Sequence, residues 1–126
     1  RAGGLYDDLD VADAVTAMQG RPAGSLELIT AGDVFCYLGD LAAALATAAR
    51  AAVRNGIFVF TVEAVAEAEV AGDIVLRDSL RWAHRRRYIE RTAEEAGFRG
   101  AAAETATLRR DRGRDIAAFV VVLTRT

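Results

Sequence analysis

Acidic residues follow two apolar stretches of this chain of 126 residues, and they are candidates for binding or acid–base chemistry. The stretch "LELITAGD" places Gly32 and Asp33 directly after an apolar run, and "IFVFTVE" places Glu63 directly after another. If both runs are parallel strands, their carboxyl ends meet at one edge of a sheet, where open α/β proteins bind ligands. Gly32 would let a ligand approach the backbone closely. Asp33 could instead simply cap a local turn.

A histidine and a tyrosine spaced four residues apart form a second candidate site. The segment "HRRRYIERTAEEAG" predicts a helix from about His84 to Ala96, ended by Gly97, so His84 and Tyr88 would share one helix face. A lone histidine is more often structural, and that alternative stays open. His84 and Cys36 are the only residues of their types, so no His/Cys metal site is expected. Cys36 has no base near it in sequence and is expected to be a small core residue.

Strands and helices alternate along the chain, which predicts a parallel sheet with right-handed crossovers. We expect a partial Rossmann-like, doubly wound α/β sheet with a C-terminal antiparallel hairpin. The expected strands are Leu9–Ala12, Leu26–Ala31, Ile57–Val62 and two around the turn "RRDRGRD", and the expected helices are Asp13–Gln19, Asp40–Arg54 and His84–Ala96. Residues 64–80 have no clean period and are expected to form an irregular connection or lid.

Composition limits the choice of function. The chain is 52% hydrophobic and has a formal net charge of −2, which suits one globular domain. Neither half is basic enough to predict nucleic-acid binding, and no apolar run reaches the ~18 residues that span a bilayer. All 16 basic residues are arginine, which is typical of a GC-rich genome. A single cysteine and the absence of a signal-peptide pattern predict a cytoplasmic protein.

The order and spacing of these segments resemble a known family. The stretch "LELITAGDVFCYLGDLAAALATAARAAVRNGIFVFTVE" resembles the fourth strand, fourth helix and fifth strand of class I S-adenosylmethionine-dependent methyltransferases of the small-molecule or TPR-associated type. The stretch "RWAHRRRYIERTAEEAGFR" resembles a later segment of that group, and the final hairpin resembles its sixth and seventh strands. The resemblance runs from Leu9 to Thr124. The family's Pro-Gly-Gly turn is replaced by Arg54-Asn55-Gly56, a mild change because Asn tolerates positive φ.

The resemblance implies S-adenosyl-L-methionine as cofactor and assigns residues to it. The backbone of Gly32, Asp33 and Val34 would line the methionine end of the cofactor. Asp13 would accept a hydrogen bond from the adenine amino group, and Ala14 would offer a backbone donor. As an alternative, Asp13 could cap the short helix that follows it, and the two roles are compatible.

The resemblance also implies residues that face a methyl acceptor, which would be a small molecule or a protein. Tyr37 could contact the cofactor's sulfonium through its ring or pack in the core, whereas Phe35 is expected to pack. Glu63 could contact the acceptor, act as a base or be a solvated acid at a strand end. His84 and Tyr88 would point towards the acceptor. No residue is singled out as strictly catalytic, since such enzymes act mainly by aligning their reactants.

Two cofactor-binding features of the family have no counterpart in the sequence. No G-x-G lies between a strand and a helix, and the acid that holds the ribose hydroxyls is missing. We therefore interpret residues 1–126 as one truncated methyltransferase domain, family strands three to seven, active only as part of a longer chain. The missing N-terminal half would be its partner, and an unpaired strand edge would favour self-association. The alternative is a non-catalytic interaction or scaffold domain with a methyltransferase-like shell.

Overall fold

The computed structural model describes residues 13–32, 34–111 and 113–126, and the predicted strand Leu9–Ala12 lies outside them. Helices and strands alternate through the first part of the chain, and two long strands end it. The elements are α1 (Ala14–Gln19), β1 (Leu26–Ala31), a 3-10 turn (Phe35–Tyr37), α2 (Ala42–Ala51), β2 (Ala52–Val65), β3 (Ile74–Leu76), β4 (Trp82–Arg85), α3 (Arg86–Ala96), β5 (Phe98–Asp111) and β6 (Arg114–Arg125).

Strand β2 is the centre of the sheet. Strand β1 pairs with it in parallel along Ile57–Phe60, and β6 pairs with it antiparallel along Ile57–Glu63. Strand β4 pairs in parallel with Glu63–Val65, beyond the end of β1, and β3 and β5 extend the sheet on either side. The predicted parallel pair, its antiparallel neighbour and the mixed α/β class are confirmed.

The apolar core lies between the helices and one face of this sheet. Phe58, Phe60 and Val62 alternate along β2 and are buried, because side chains with a period of two point to the same face. The Phe35 ring lies 5.8 Å from the Phe58 ring and 4.8 Å from the Phe60 ring, between their centroids. Buried residues from α1, α2 and α3 join the same cluster. Within the described residues, all three α-helices therefore cover the same face.

The opposite face of the sheet carries apolar residues that the helix-side core does not include. Val59 and Val122 are paired across β2 and β6 and are half-buried. Leu28 on β1 is 60% exposed. On its other edge, β1 has no partner strand within the described part of the chain. Parallel strands such as β1, β2 and β4 are normally covered on both faces, so this surface suits a further polypeptide layer.

The boundary between α2 and β2 differs from the prediction. The helix was expected to reach Arg54 and stop at Asn55-Gly56, but it ends at Ala51 and the strand begins at once. Backbone amides of Gly24 and Ser25 bind the carbonyls of Arg50 and Ala51, so the segment before β1 ends the helix. Asn55, with φ of 65°, then forms an irregularity inside β2 rather than a helix stop.

Two further predictions near the C-terminal half are wrong in part. Residues 64–80 contain the end of β2 and the short strand β3, which pairs with β4. The predicted helix start at His84 is also wrong, because Trp82–Arg85 is held extended by pairing with β2 on one side and β3 on the other. The predicted helix over residues 13–19 and the final hairpin are confirmed. No helix in the described ranges is long and apolar enough to cross a membrane.

The irregularity in β2 leaves no room for a side chain at position 56, and this can be tested. A Cβ on Gly56 would lie 2.8 Å from the Val53 carbonyl oxygen and 3.2 Å from that of Leu26. We expect Gly56→Ala to lower the free energy of unfolding by about 1–3 kcal/mol, measured by urea denaturation. Gly20→Ala is the matched control, since its Cβ would meet no atom closer than 3.5 Å. Equal stability of the two variants would contradict this assignment.

Candidate functional site

The carboxyl end of β1 opens onto the surface. Gly32 forms a bend directly after the strand and is exposed, and a Cβ added to it would meet nothing within 4 Å. Its backbone is therefore exposed at the end of the strand, and its role in cofactor binding stays a prediction. Val34 is half-buried and packs against the core. Asp33 lies outside the described residues.

Asp13 caps the first helix. Its Oδ1 accepts a hydrogen bond from the Thr16 amide at 3.0 Å, and its Oδ2 accepts one from the Thr16 hydroxyl at 2.7 Å. These two bonds lower the pKa of the Asp13 carboxyl, and the bond from the Thr16 hydroxyl has the larger effect. Ala14, the first residue of α1, is half-buried. The capping alternative for Asp13 is confirmed, and since the carboxylate is exposed, its remaining lone pairs stay accessible to a ligand.

The segment after Gly32 turns sharply back into the protein. Phe35 and Cys36 are buried in the 3-10 turn, as predicted for both. Tyr37 is 61% exposed, so it does not pack in the core. The Arg81 guanidinium lies over the Tyr37 ring, 5.9 Å from its centroid. One ring face is therefore already covered by a cation.

A cavity of about 600 Å³ lies at the carboxyl end of β2. Glu63 lines it and is buried, so it is not the solvated acid that the sequence left open. The strand continues past Glu63 to Val65, and the backbone of Glu63 lies between β4 and β6, opposite Ala83 and Ala118. The remaining lining residues come from the 64–79 connection and from the start of β6: Ala64, Ala66, Glu69, Arg77, Asp78, Ser79, Asp115, Ile116 and Ala117.

Two arginines hold the wall of this cavity in place. The buried Arg85 guanidinium donates to the carbonyls of Ala66, Glu67, Glu69 and Ala71 at 3.0–3.3 Å. Arg77 contacts Glu69 through both guanidinium amino groups, at 2.6 and 3.0 Å, and donates to the Ala64 carbonyl. The sequence suggested an irregular connection or lid here, and it did not predict that Arg85 is buried behind it.

His84 lies on β4 and is fully buried. Its Nε2 is 2.8 Å from the Gly39 carbonyl oxygen, and since a carbonyl only accepts, Nε2 carries the proton of a neutral ring. Burial lowers the pKa of His84, and the carbonyls of Gly39 and Leu38 oppose that shift. Nδ1 has no hydrogen-bond partner among the described residues.

Tyr88 lies in the first turn of α3 and is also buried. Its hydroxyl accepts a hydrogen bond from the Leu41 amide at 3.0 Å and donates one to Asp40 Oδ1 at 3.2 Å. The Tyr88 and His84 rings stack with centroids 6.0 Å apart. The structure therefore brings these two residues together, but across a strand–helix junction and not along one helix face. Their role in acceptor binding stays a prediction.

Comparison with solved structures identifies the fold. A methyltransferase from Methanosarcina mazei, described as S-adenosylmethionine-dependent, matches 97% of this chain with a TM-score of 0.70 and 10% identity. The [4+2]-cyclase SpnF matches 94% with a TM-score of 0.71 and 14% identity. A phosphoethanolamine N-methyltransferase from Haemonchus contortus, solved with S-adenosylhomocysteine, matches 83% with a TM-score of 0.63 and 12% identity.

The chain has the fold of class I S-adenosylmethionine-dependent methyltransferases. It spans 71%, 55% and 35% of the lengths of the three proteins above. No model of a known protein family matches the sequence. No curated protein matches it either.

The burial of neutral His84 predicts a pH-dependent stability. Because its folded pKa is lower than the ordinary value of about 6.5, the unfolded chain takes up a proton first as the pH falls. We expect the free energy of unfolding to decrease as the pH is lowered from 7 to 5, with a slope of at most about 1.4 kcal/mol per pH unit from this group. His84→Gln should remove that part of the slope in urea titrations. An unchanged slope would show that groups other than His84 cause it.

Proposed function

We propose that this chain is part of an S-adenosylmethionine-dependent methyltransferase, of the small-molecule or TPR-associated type, that acts in the cytoplasm. The observation that carries the proposal is the open backbone of Gly32, at the carboxyl end of a parallel strand in this fold. In open α/β sheets, that position is where ligands bind. Fold alone does not define an activity, so the proposal depends on the site.

The residues of this chain suit the methionine end and the adenine amino group of the cofactor. The accessible Gly32 backbone, with Asp33 and Val34 after it, would line the methionine end, and the exposed Asp13 carboxylate would accept from the adenine amino group. Ala14 would contribute its backbone. The bound cofactor supplies an electrophilic methyl group. The protein's part is to hold the acceptor in line with that group and to exclude water.

The acceptor would enter the cavity at the end of β2. Buried Glu63 would orient an acceptor there by hydrogen bonding or take a proton from it, and the wall held by Arg77 and Arg85 would give the cavity a fixed shape. Tyr37 could meet a sulfonium only with the ring face that Arg81 does not cover. The acceptor would be a small molecule or a protein segment, and nothing in this surface indicates nucleic acid.

A partner is part of the proposal. The β1 edge that has no partner strand among the described residues, and the sheet face around Leu28 and Val59, would be covered by the missing N-terminal half of the domain, through a parallel strand and a helix. The chain spans only part of its structural neighbours, which supports this occupant. Without that layer, the same edge and face would pair with a second copy.

A second candidate is a non-catalytic interaction or scaffold domain with the methyltransferase-like shell. The absence of a glycine-rich G-x-G loop between a strand and a helix in the sequence favours it. A similar fold also occurs in a protein named for cyclisation, the [4+2]-cyclase SpnF. Cofactor binding by the complete polypeptide encoded by the gene separates this candidate from the first.

Self-association is the first expected outcome. The chain of 126 residues should sediment as dimers or larger species at high concentration, because this edge and face lack a partner within the part of the chain that the structure describes. Leu28→Lys should shift it towards monomer by placing a charge on that surface. Val70→Lys is the matched control, since Val70 is equally aliphatic and fully exposed but lies away from β1. A clean monomer at high concentration would contradict the partner proposal.

Cofactor affinity is the second expected outcome. Each lost hydrogen bond to the cofactor contributes about 0.5–3 kcal/mol, and micromolar affinity corresponds to roughly 8 kcal/mol. The chain alone, without a glycine loop or ribose-binding acid, should therefore show no S-adenosylmethionine binding by calorimetry at micromolar concentration. The complete polypeptide should bind. Asp33→Ala in it should weaken binding less than removal of the glycine loop, since Asp33 would act through its backbone. Micromolar binding by the short chain would show that the cofactor site is misplaced.

A further inference from the structure

We infer that Trp82, His84 and Tyr88 are positioning residues that clamp the segment 34–41 at the carboxyl end of β1. The inference rests on the proposed function, because this segment begins at Val34 and follows Gly32, and both are proposed cofactor residues. None of the three side chains need touch a ligand. Their part is to fix the backbone that does.

The segment has little regular structure of its own. Its local backbone hydrogen bonds are those of one 3-10 turn, from Tyr37 to Val34 at 3.2 Å and from Leu38 to Phe35 at 3.0 Å. Gly39 and Asp40 lie between this turn and the start of α2. A backbone stretch of this kind loses its geometry easily unless other elements hold it.

Strand β4 supplies the first anchor. The Nε2 proton of His84 is donated to the Gly39 carbonyl at 2.8 Å, from a ring that is fully buried. The Trp82 ring lies against the same glycine, and a Cβ at position 39 would lie 3.3 Å from it. Gly39 is thus held by a hydrogen bond and by a ring that leaves little room for a side chain.

Helix α3 supplies the second anchor. The Tyr88 hydroxyl accepts a hydrogen bond from the Leu41 amide at 3.0 Å and donates one to Asp40 Oδ1 at 3.2 Å. Asp40 Oδ1 also accepts from the Ala42 amide at 2.8 Å, which ties the clamp to the start of α2. Stacking of His84 on Tyr88 connects the two anchors.

A segment that is already held in one conformation favours binding, because no free energy is then spent on ordering it when the ligand binds. Ordering a loop on binding costs free energy, so a backbone held in advance binds more tightly than a loose one. The clamp also sets where the exposed Tyr37 ring and its Arg81 neighbour stand at the sheet edge. Loosening the clamp should therefore weaken cofactor binding without removing any group that contacts the cofactor.

The test uses four variants and two readouts. Tyr88→Phe removes only the hydroxyl, and His84→Leu removes the donor to Gly39. His84→Gln is the rescue variant, since its amide N–H reaches a similar position and Nδ1 of the histidine has no partner to lose among the described residues. Thr92→Val is the control, a buried hydroxyl on the same helix, one turn from Tyr88.

The first readout is amide hydrogen exchange in the chain itself. Tyr88→Phe and His84→Leu should speed exchange at residues 38–41 by about tenfold or more, with far smaller changes in β2 and β6. His84→Gln and Thr92→Val should leave those amides near the parent rate. The single tryptophan and single histidine add assignable signals, namely Trp82 fluorescence and the His84 Nε2 proton resonance. Uniformly faster exchange across the sheet would overturn the clamp, since it indicates general destabilisation.

The second readout is S-adenosylmethionine affinity of the complete polypeptide. Tyr88→Phe and His84→Leu should weaken it about three- to tenfold, and His84→Gln should restore it to within about twofold. Unchanged affinity with loosened amides would overturn the positioning role while leaving the proposed function intact. If the parent polypeptide does not bind the cofactor, the proposed function fails, and the positioning role for that ligand fails with it.

Discussion

Strand β2 hydrogen-bonds along both of its edges, and this pairing determines the position of nearly every other element. One edge takes β1 and then β4, both parallel, while the other takes β6 in the antiparallel sense. A strand paired on both sides leaves its N–H and C=O groups satisfied, so its side chains can be apolar on both faces. The run "IFVFTV" is such a sequence. Within the described residues, the helices cover one of these faces, and the other carries Leu28, Val59 and Val122.

The elements that could be predicted are those whose local signals agree with their surroundings. The predicted bounds of β1 match the structure because an apolar run is limited there by Gly24-Ser25 and Gly32. The α2 boundary could not be read from its own residues, since alanines continue across it and the stop comes from the amides of Gly24 and Ser25. Strand β4 was missed for the same reason. Its four residues are extended only because two strands flank them.

In the candidate site, residues at strand ends could be predicted from the sequence, whereas the roles of the arginines could not. The open glycine after β1 and the acid near the end of β2 follow from strand ends, which sequence indicates well. The buried, structural arginines could not be distinguished from the exposed ones in this way. All 16 strongly basic residues are arginine, so residue type gives no hint of which ones are structural. Arg85 binds four carbonyls, and Arg125 binds those of Ala49 and Gly97. A planar guanidinium with several fixed donors suits this work, whereas an ammonium group does not.

Successive side chains of β4 point to opposite faces of the sheet, so the neighbouring residues His84 and Arg85 have separate structural roles. His84 pairs opposite Ala64 and points to the helix side, where it binds Gly39 and stacks on Tyr88. Arg85, one residue later, points to the other side with Glu63, and it holds the wall of the cavity. On a helix, two successive side chains would differ in direction by only about 100°, whereas on a strand they point to opposite faces of the sheet. As a strand, the same dipeptide binds the Gly39 carbonyl from one side of the sheet and the carbonyls of residues 66–71 from the other.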